Sequence, residues 1–203
     1  MQLKLINFND RISLSLIFLI LNSYFILALN MPQILLKLNL SIFFIVFSYF
    51  YLKYYKFNFP LKLYFLLILI LCLGSAATNW DLRSIYLFHT KRIFLDGSIY
   101  SVADNYAKFS HNDYPRLLPS FSSSFAFLTG YWNEIFPKSA FTFIYIPPLI
   151  FLSSYLNNKK YLIFLSILIF FIGQFLFNGG VDGIVAVYFI TCAFCFYYIF
   201  FEK

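Results

Sequence analysis

Three aspartates in this chain lie beside long apolar segments, at Asp81, Asp113 and Asp182. A carboxylate can take a proton from a hydroxyl group, and acids near a membrane interior often belong to functional sites. His111 precedes Asp113 by two residues, so this pair can share a metal ion, or His111 can titrate near neutral pH. Structural alternatives stay open: Asp81 and Asp182 as helix N-caps, and the segment around His111 as an ordinary hydrogen-bonded loop.

The composition identifies the environment of these acids. Of 203 residues, 62% are apolar, 24% aromatic and 11% charged, whereas a soluble domain is about 45–50% apolar and roughly 25% charged. One water-soluble core cannot bury 30 Phe and 17 Tyr. These values exclude a soluble enzyme, a disordered tail and a disulfide scaffold. A nucleic-acid-binding module is excluded as well, because the basic residues behind the +7 net charge are scattered between apolar segments. The chain is predicted to be an all-α integral membrane protein whose partner is the lipid bilayer.

Six apolar runs are long enough to cross a hydrocarbon core, which takes about 20 residues per helix. They cover residues 12–30, 34–54, 61–78, 139–157, 160–178 and 182–201. The first run is expected to be a retained anchor, since it is too long for a signal peptide and lacks a small-x-small cleavage site. The chain therefore divides into three spans in residues 1–78, a long loop at 79–138, and three spans in 139–203.

The basic residues orient these spans. Lysines and arginines precede the first run, surround the link between the second and third, and fill the link between the fourth and fifth: Lys4, Arg11, Lys53, Lys56, Lys62, Lys159 and Lys160. The links at 30–33 and 178–181 contain neither Lys nor Arg. By the positive-inside rule, both termini are cytoplasmic and residues 79–138 lie outside. Six of the eight acids then lie on the outer face: Asp81, Asp96, Asp104, Asp113, Glu134 and Asp182.

Two amphipathic helices are expected in the membrane interface within this outer loop. The first covers residues 82–96, with apolar positions on one side (Leu82, Ile85, Tyr86 and Ile93) and Gly97 as its C-terminal cap. The second lies within 117–136, where Phe121, Phe125, Leu128 and Trp132 recur on one helical face. A seventh span at 117–136 is the alternative, but it would place Lys159 and Lys160 outside.

Polar or helix-breaking residues inside the apolar runs are interpreted as structural. Pro147-Pro148 should kink the fourth span, with neighbouring groups bonding the freed carbonyls. Asn22 and Gln174 should form interhelical hydrogen bonds. Cys192 and Cys195 form a C-x-x-C pair, but the chain has no second Cys/His pair that could complete a zinc site. These two cysteines and Cys72 are therefore interpreted as small apolar side chains.

The arrangement resembles the GT-C superfamily of membrane glycosyltransferases, which includes protein O-mannosyltransferases and lipid A aminoarabinose transferases. The resemblance rests on a W-D pair at the start of the outer loop, Trp80-Asp81, and on an H-x-D-Y-P-x-L-L-P segment. That segment is His111, Asp113, Tyr114, Pro115, Leu117, Leu118 and Pro119. Gly180 and Asp182 are similar to an element at the head of a later family helix. The likeness covers about residues 78–190.

The resemblance implies sugar transfer from a polyprenyl-phosphate donor to an acceptor on the outer face of the plasma membrane, the inner membrane in bacteria. Asp81 matches the family's catalytic acid and would be the general base. Asp113, Asp182 and His111 would be a second acid or assist a divalent metal, which some members use. The leaving phosphate calls for cations, and the candidates are Arg83, Lys91, Arg92 and Arg116.

This chain departs from the family in length, because family enzymes have more spans. It is therefore expected to be the N-terminal part of a split or truncated enzyme, to which a second chain can supply helices. The alternative is a non-catalytic multi-spanning subunit, or a transporter-like protein with an acidic outer ligand site. A catalytic site should bring Asp81, Asp113 and Asp182 to one cavity, and separate faces would favour the alternative.

Overall fold

The computed structural model describes residues 7–53, 59–74, 76–77, 80–99, 114–157, 159–168 and 181–201, which form helices joined by turns, with no strand among them. The helices are α1 (Phe8–Ala28), α2 (Ile34–Lys53), α3 (Phe59–Gly74), a π-helical turn (Leu82–Tyr86) continued by α4 (Leu87–Asp96), α5 (Leu117–Thr129), α6 (Ile135–Ile144), α7 (Ile146–Ser153), α8 (residues 159–168) and α9 (Val181–Phe201). The prediction of an all-α membrane protein agrees with this architecture.

Four helical segments are long and apolar enough to cross a membrane. They are α1, α2, the 19-residue run Ile135–Ser153 formed by α6 and α7, and Val181–Tyr198 in α9. They correspond to the first, second, fourth and sixth predicted spans. α3 has 16 residues, and the structure describes α8 only over 159–168, so the prediction of six spans remains a prediction at these two helices.

Helix caps move the starts of two spans toward the N-terminus. In α1 the Asn7 side chain accepts from the Asp10 amide at 2.9 Å, and Asp10 accepts from the Asn7 amide at 3.2 Å, a reciprocal capping box. In α6 the Asn133 side chain accepts from the Ile135 and Phe136 amides. Hydropathy alone places the start of both spans about one turn too late, because the first turns contain charged residues that are nevertheless helical.

The middle of the fourth span is interrupted at Tyr145, between α6 and α7, as the two prolines predict. Pro148 has no amide hydrogen for the carbonyl of Ile144, four residues earlier. The Tyr188 hydroxyl of α9 donates to that carbonyl at 3.1 Å, and the Ser13 hydroxyl of α1 donates to the Pro147 carbonyl at 2.7 Å. The freed carbonyl of Ile144 is therefore bonded by a neighbouring helix, as expected.

A polar cluster joins α1 to α2. The Asn22 amide donates to the Asn39 side chain at 2.8 Å, and Asn39 donates to the Ser23 hydroxyl and the Leu19 carbonyl. The interhelical hydrogen bond expected of Asn22 is confirmed, with Asn39 as its partner, whereas Gln174 lies outside the described residues.

The second helix of the long loop, α5, differs from its prediction. Every residue from Pro119 to Phe127 is buried, including Ser120, Ser122, Ser123 and Ser124. The expected burial of one amphipathic face only is therefore wrong, because α5 packs against α1, α2, α4 and α6 inside the protein, whereas its depth in the membrane remains a prediction. The serines donate to backbone carbonyls, for example Ser122 to Pro137 at 2.7 Å, so their burial leaves no hydroxyl unpaired.

Contacts between distant segments define two ends of the bundle. At the loop end, the Ser98 hydroxyl donates to the Asn30 side chain at 2.9 Å, joining the end of α4 to the α1–α2 link. At the terminal end, the Tyr155 hydroxyl donates to Asp10 at 2.9 Å, joining the α7–α8 link to the start of α1. The α1–α2 link and the end of α4, which the charge pattern assigns to one side, thus lie together, as do the start of α1 and the α7–α8 link, which it assigns to the other.

Candidate functional site

Tyr86 occupies the point at the loop end where several segments meet. It is the last residue of the π-helical turn, and only 9% of its surface is exposed. Its ring contacts Tyr114, which lies just before α5, with centroids 6.2 Å apart, and Phe141 of α6 at 6.1 Å. Three parts of the chain therefore fix the position of one phenol.

Asp81 and Asp182 are both exposed, and the charge of each acts on this phenol. Burial, the neighbouring Tyr114, and the negative charges of Asp182 and Asp81 raise the pKa of Tyr86 to about 12. Two acids that are far apart in the sequence thus act on one side chain. Of the three acids expected to meet, these two both act electrostatically on Tyr86.

The remaining members of the expected acid group, Asp113 and His111, lie outside the described residues. Tyr114, which follows Asp113 in the chain, packs on Tyr86. Among the described residues, no group of three or more His, Cys, Asp or Glu side chains is arranged to hold a metal ion.

The capping interpretations of the two acids are wrong. Asp81 has helical backbone angles (φ −61°, ψ −41°) and makes no side-chain capping hydrogen bond, and the helix already includes Trp80. Asp182 lies inside the first turn of α9 rather than at a cap position. A carboxylate there is favoured by the helix dipole, but neither side chain is needed to begin its helix.

The π-helical turn is the local feature that sequence reasoning missed. Its apolar residues, Leu82 and Ile85, are buried as predicted, and Gly97 ends α4 in the left-handed conformation (φ 69°). Thr90, which is not on the predicted apolar side, is also fully buried, and its hydroxyl donates to the Tyr86 carbonyl at 2.7 Å. Wide π turns often occur at functional sites, and this one sets the direction of Tyr86.

The four candidate phosphate-binding residues are distributed over the loop end. Arg83 and Lys91 are exposed, and Arg116 is half-buried before α5. Arg92 forms an ion pair with Asp96 at 3.1 Å, and the Lys91 amine lies 5.9 Å from the Trp132 ring. Within the described part of the chain, the charges that shift the pKa of Tyr86 are all negative.

An apolar groove lies between α2, α3 and the α6–α7 helices. One cavity has a volume of about 370 Å³, and a second, of about 250 Å³, shares Leu69 and Phe143 with it. The remaining lining is mostly apolar, with Tyr51 and Leu66 in the first cavity and Phe136 in the second. Residues 141 and 143 point about 200° apart on a helix, so the groove and Tyr86 flank α6 on different sides.

Tyr86 itself is the functional candidate that the sequence did not reveal, since in the sequence it is one more aromatic residue on an apolar helical face.

Comparison with protein-family models, with curated proteins and with solved structures finds no match to this chain.

Proposed function

We propose that this protein is a membrane glycosyltransferase, or part of one, which moves a sugar from a polyprenyl-phosphate donor to an acceptor on the outer face of the membrane. The observation that supports the proposal is that the charges of Asp81 and Asp182, two exposed acids far apart in the sequence, both act on Tyr86. An acceptor hydroxyl must lose its proton as it attacks the sugar carbon, and an exposed carboxylate can receive that proton. Asp81 has this role, and Asp182 is the second acid.

The apolar groove supports a lipid-linked donor. Its larger cavity, about 370 Å³, lies in the range of about 300–1,000 Å³ typical of small-ligand sites. A prenyl chain is apolar and flexible enough to follow a groove bounded by leucine and phenylalanine side chains. The donor phosphate requires cations, for which Arg83, Lys91, Arg92 and Arg116 remain the candidates, and a second chain can complete the prenyl site.

The proposal includes an orientation in the plasma membrane, the inner membrane if the source is bacterial. The loop end, with Asp81 and Asp182, faces outward, and the terminal end, with Asp10 and Tyr155, faces the cytoplasm. The basic residues beside the terminal end favour this orientation by the positive-inside rule.

The test is sugar transfer by the full chain in lipid nanodiscs, with a short-chain polyprenyl phosphate carrying a labelled hexose as donor. We expect Asp81→Asn to lower the transfer rate at least about 100-fold, the usual contribution of a general base. Glu134→Gln is the matched control, because Glu134 is another exposed acid of the loop end and has no part in the proposed chemistry. Its rate should equal that of the wild type.

The alternative, a non-catalytic subunit or transporter-like protein with an acidic ligand site, predicts a different result. The wild type would then bind a ligand through Asp81 and Asp182 without cleaving the bond between sugar and phosphate. Normal transfer by Asp81→Asn would remove the proposed base.

A further inference from the structure

Two exposed cations lie at the terminal end of the α1–α2 pair. The Lys53 amine, at the end of α2, lies 4.5 Å from the centroid of the Phe8 ring and 5.3 Å from that of Tyr49, whose hydroxyl accepts from it at 3.0 Å. The Phe8 and Tyr49 rings contact each other, with centroids 6.1 Å apart. Arg11 follows Phe8 by three residues, so it lies on the same side of α1. The aromatic contact between the two helices thus places both cations at one end of the pair.

Further cations reach this end through the α7–α8 link. The hydrogen bond from Tyr155 to Asp10, 2.9 Å long, holds that link against the start of α1. Lys159 and Lys160 follow in the first turn of α8, where the Asn157 side chain accepts from the Lys160 amide at 2.9 Å, and both lysines are exposed. Among the described residues of this end, the one acid is Asp10, which is buried. The exposed charge of this described surface is therefore positive.

Exposed apolar stripes on both helices end at Arg11 and Lys53. On α1 the exposed side chains recur every three or four residues after Arg11, and on α2 they do so before Lys53. They are Leu14, Phe18, Leu21 and Phe25 on α1, and Leu38, Ile42, Ile45 and Tyr49 on α2. At 1.5 Å per residue, the stretch from Ile42 to Lys53 measures about 17 Å, close to one leaflet of a hydrocarbon core, which is about 15 Å. Each stripe is therefore long enough to lie along one hydrocarbon chain of a lipid.

An anionic phospholipid is complementary to both parts of this surface. A guanidinium group binds phosphate oxygens in pairs, and an ammonium group binds phosphate as a point charge. Basic clusters at a membrane surface attract anionic lipids, with a gain of about 5-fold in affinity for each positive charge. A second copy of this chain that docked through the same face would bring like charges together, so the charge favours a lipid as the occupant.

We propose that the terminal end of the α1–α2 pair is a binding site for an anionic phospholipid, whose phosphate lies between Arg11 and Lys53 and whose chains lie along the two exposed stripes. Lys159 and Lys160 add to the positive potential of the site. This inference is independent of sugar transfer, because it involves neither the acids of the loop end nor the apolar groove.

Native mass spectrometry of the full chain, released from detergent micelles, measures lipid affinity and oligomeric state in one spectrum. The probes are phosphatidylglycerol and phosphatidylcholine with identical hydrocarbon chains, and inorganic phosphate is added in excess as a competitor. Lys53→Gln removes one charge, Arg11→Gln removes the other, and Lys53→Arg keeps the charge. Lys37→Gln is the matched control, because Lys37 lies near the opposite end of the same helix.

We expect the wild type to bind phosphatidylglycerol at least about 5-fold more tightly than phosphatidylcholine. Lys53→Gln and Arg11→Gln should each lower the affinity for phosphatidylglycerol about 5-fold and leave that for phosphatidylcholine unchanged. Lys53→Arg and Lys37→Gln should match the wild type, and inorganic phosphate should not displace the lipid.

Three results would overturn the proposal: equal affinity for the two lipids, equal losses in Lys53→Gln and Lys37→Gln, or displacement of the lipid by inorganic phosphate. A dimer that forms in place of the lipid complex would overturn it as well, because the exposed face would then belong to a second copy of the chain.

Discussion

The two ends of the bundle each bring a tyrosine close to an aspartate, and they use the pair differently. At the terminal end, the Tyr155 hydroxyl donates to Asp10 at 2.9 Å, and Asp10 is 93% buried, since 7% of its surface is exposed. At the loop end, Tyr86 is buried, but Asp81 and Asp182 are exposed and the phenol forms no hydrogen bond within the described residues.

The difference is between a structural pair and a pair of exposed acids that, as we propose, belongs to a ligand site. The Asp10 carboxylate accepts from the Asn7 amide and the Tyr155 hydroxyl through the same oxygen, so it holds the start of α1 to the α7–α8 link. The acids at the loop end are exposed, and neither is a capping residue. The same residue types therefore stabilise the fold at one end and, as we propose, meet a ligand at the other.

The largest expected effect concerns the side of the membrane that each end of the bundle faces. In a chain with Cys72, Cys192 and Cys195 replaced by alanine, Ser98→Cys reports on the loop end and Asn157→Cys on the terminal end. We predict that a membrane-impermeant maleimide added to intact cells labels Ser98→Cys and leaves Asn157→Cys unlabelled until the membrane is permeabilised. The reverse labelling would invert the orientation, and labelling of both would break the separation of the two ends.

The next largest effect is on the free energy of unfolding, which should respond differently to substitutions at the two ends. Asp10→Ala removes the capping box and leaves the Tyr155 hydroxyl without its acceptor, so we expect a loss of about 2–4 kcal/mol in the free energy of unfolding. Asp81→Ala changes an exposed side chain and should cost less than about 0.5 kcal/mol. Reversible unfolding in mixed micelles measures both values.

Asp10→Asn is the control for that measurement, because its amide oxygen can still accept from Asn7 and Tyr155. It should recover part of the stability lost in Asp10→Ala. Equal losses for Asp10→Ala and Asp81→Ala would contradict the assignment of a structural role to one end only.

Local signals in the sequence were sufficient for much of the scaffold. Long apolar runs gave α1, α2 and α9, and Pro147-Pro148 located the break between α6 and α7, because helix length and proline geometry depend on residues close in sequence. Gly97 ended α4 as expected for the same reason.

Burial and contacts could not be predicted in the same way. The serines of α5 lie outside its predicted apolar face, yet they are buried because α1, α2, α4 and α6 surround that helix and their hydroxyls donate to backbone carbonyls. Lys138 was assigned to the loop but lies inside α6, where it is 2% exposed. A π turn and a contact with Phe141 place the Tyr86 side chain, and a helical pattern of period 3.6 predicts neither of them.

The smallest expected effect is on the ionisation of the two tyrosines. Burial is the larger cause of the raised pKa of Tyr86, and the carboxylates add to it, so Asp81→Asn should lower that pKa only slightly from about 12. Burial and the hydrogen bond to Asp10 raise the pKa of Tyr155, so Asp10→Ala should lower it more. Chemical shifts of ¹³Cζ-labelled tyrosine across an alkaline titration measure both, with Tyr86→Phe and Tyr155→Phe assigning the signals.

The sign of the linked stability follows from these shifts. The pKa of Tyr86 in the folded protein lies above its unfolded value of about 10, so folding favours the protonated phenol. Its contribution is complete below about pH 10 and is lost as the pH rises through about 12. Tyr86→Phe should therefore flatten the decline of stability between these pH values. An unchanged slope in that variant would mean that Tyr86 ionises like an exposed tyrosine, and its ring would then not be held between Tyr114 and Phe141.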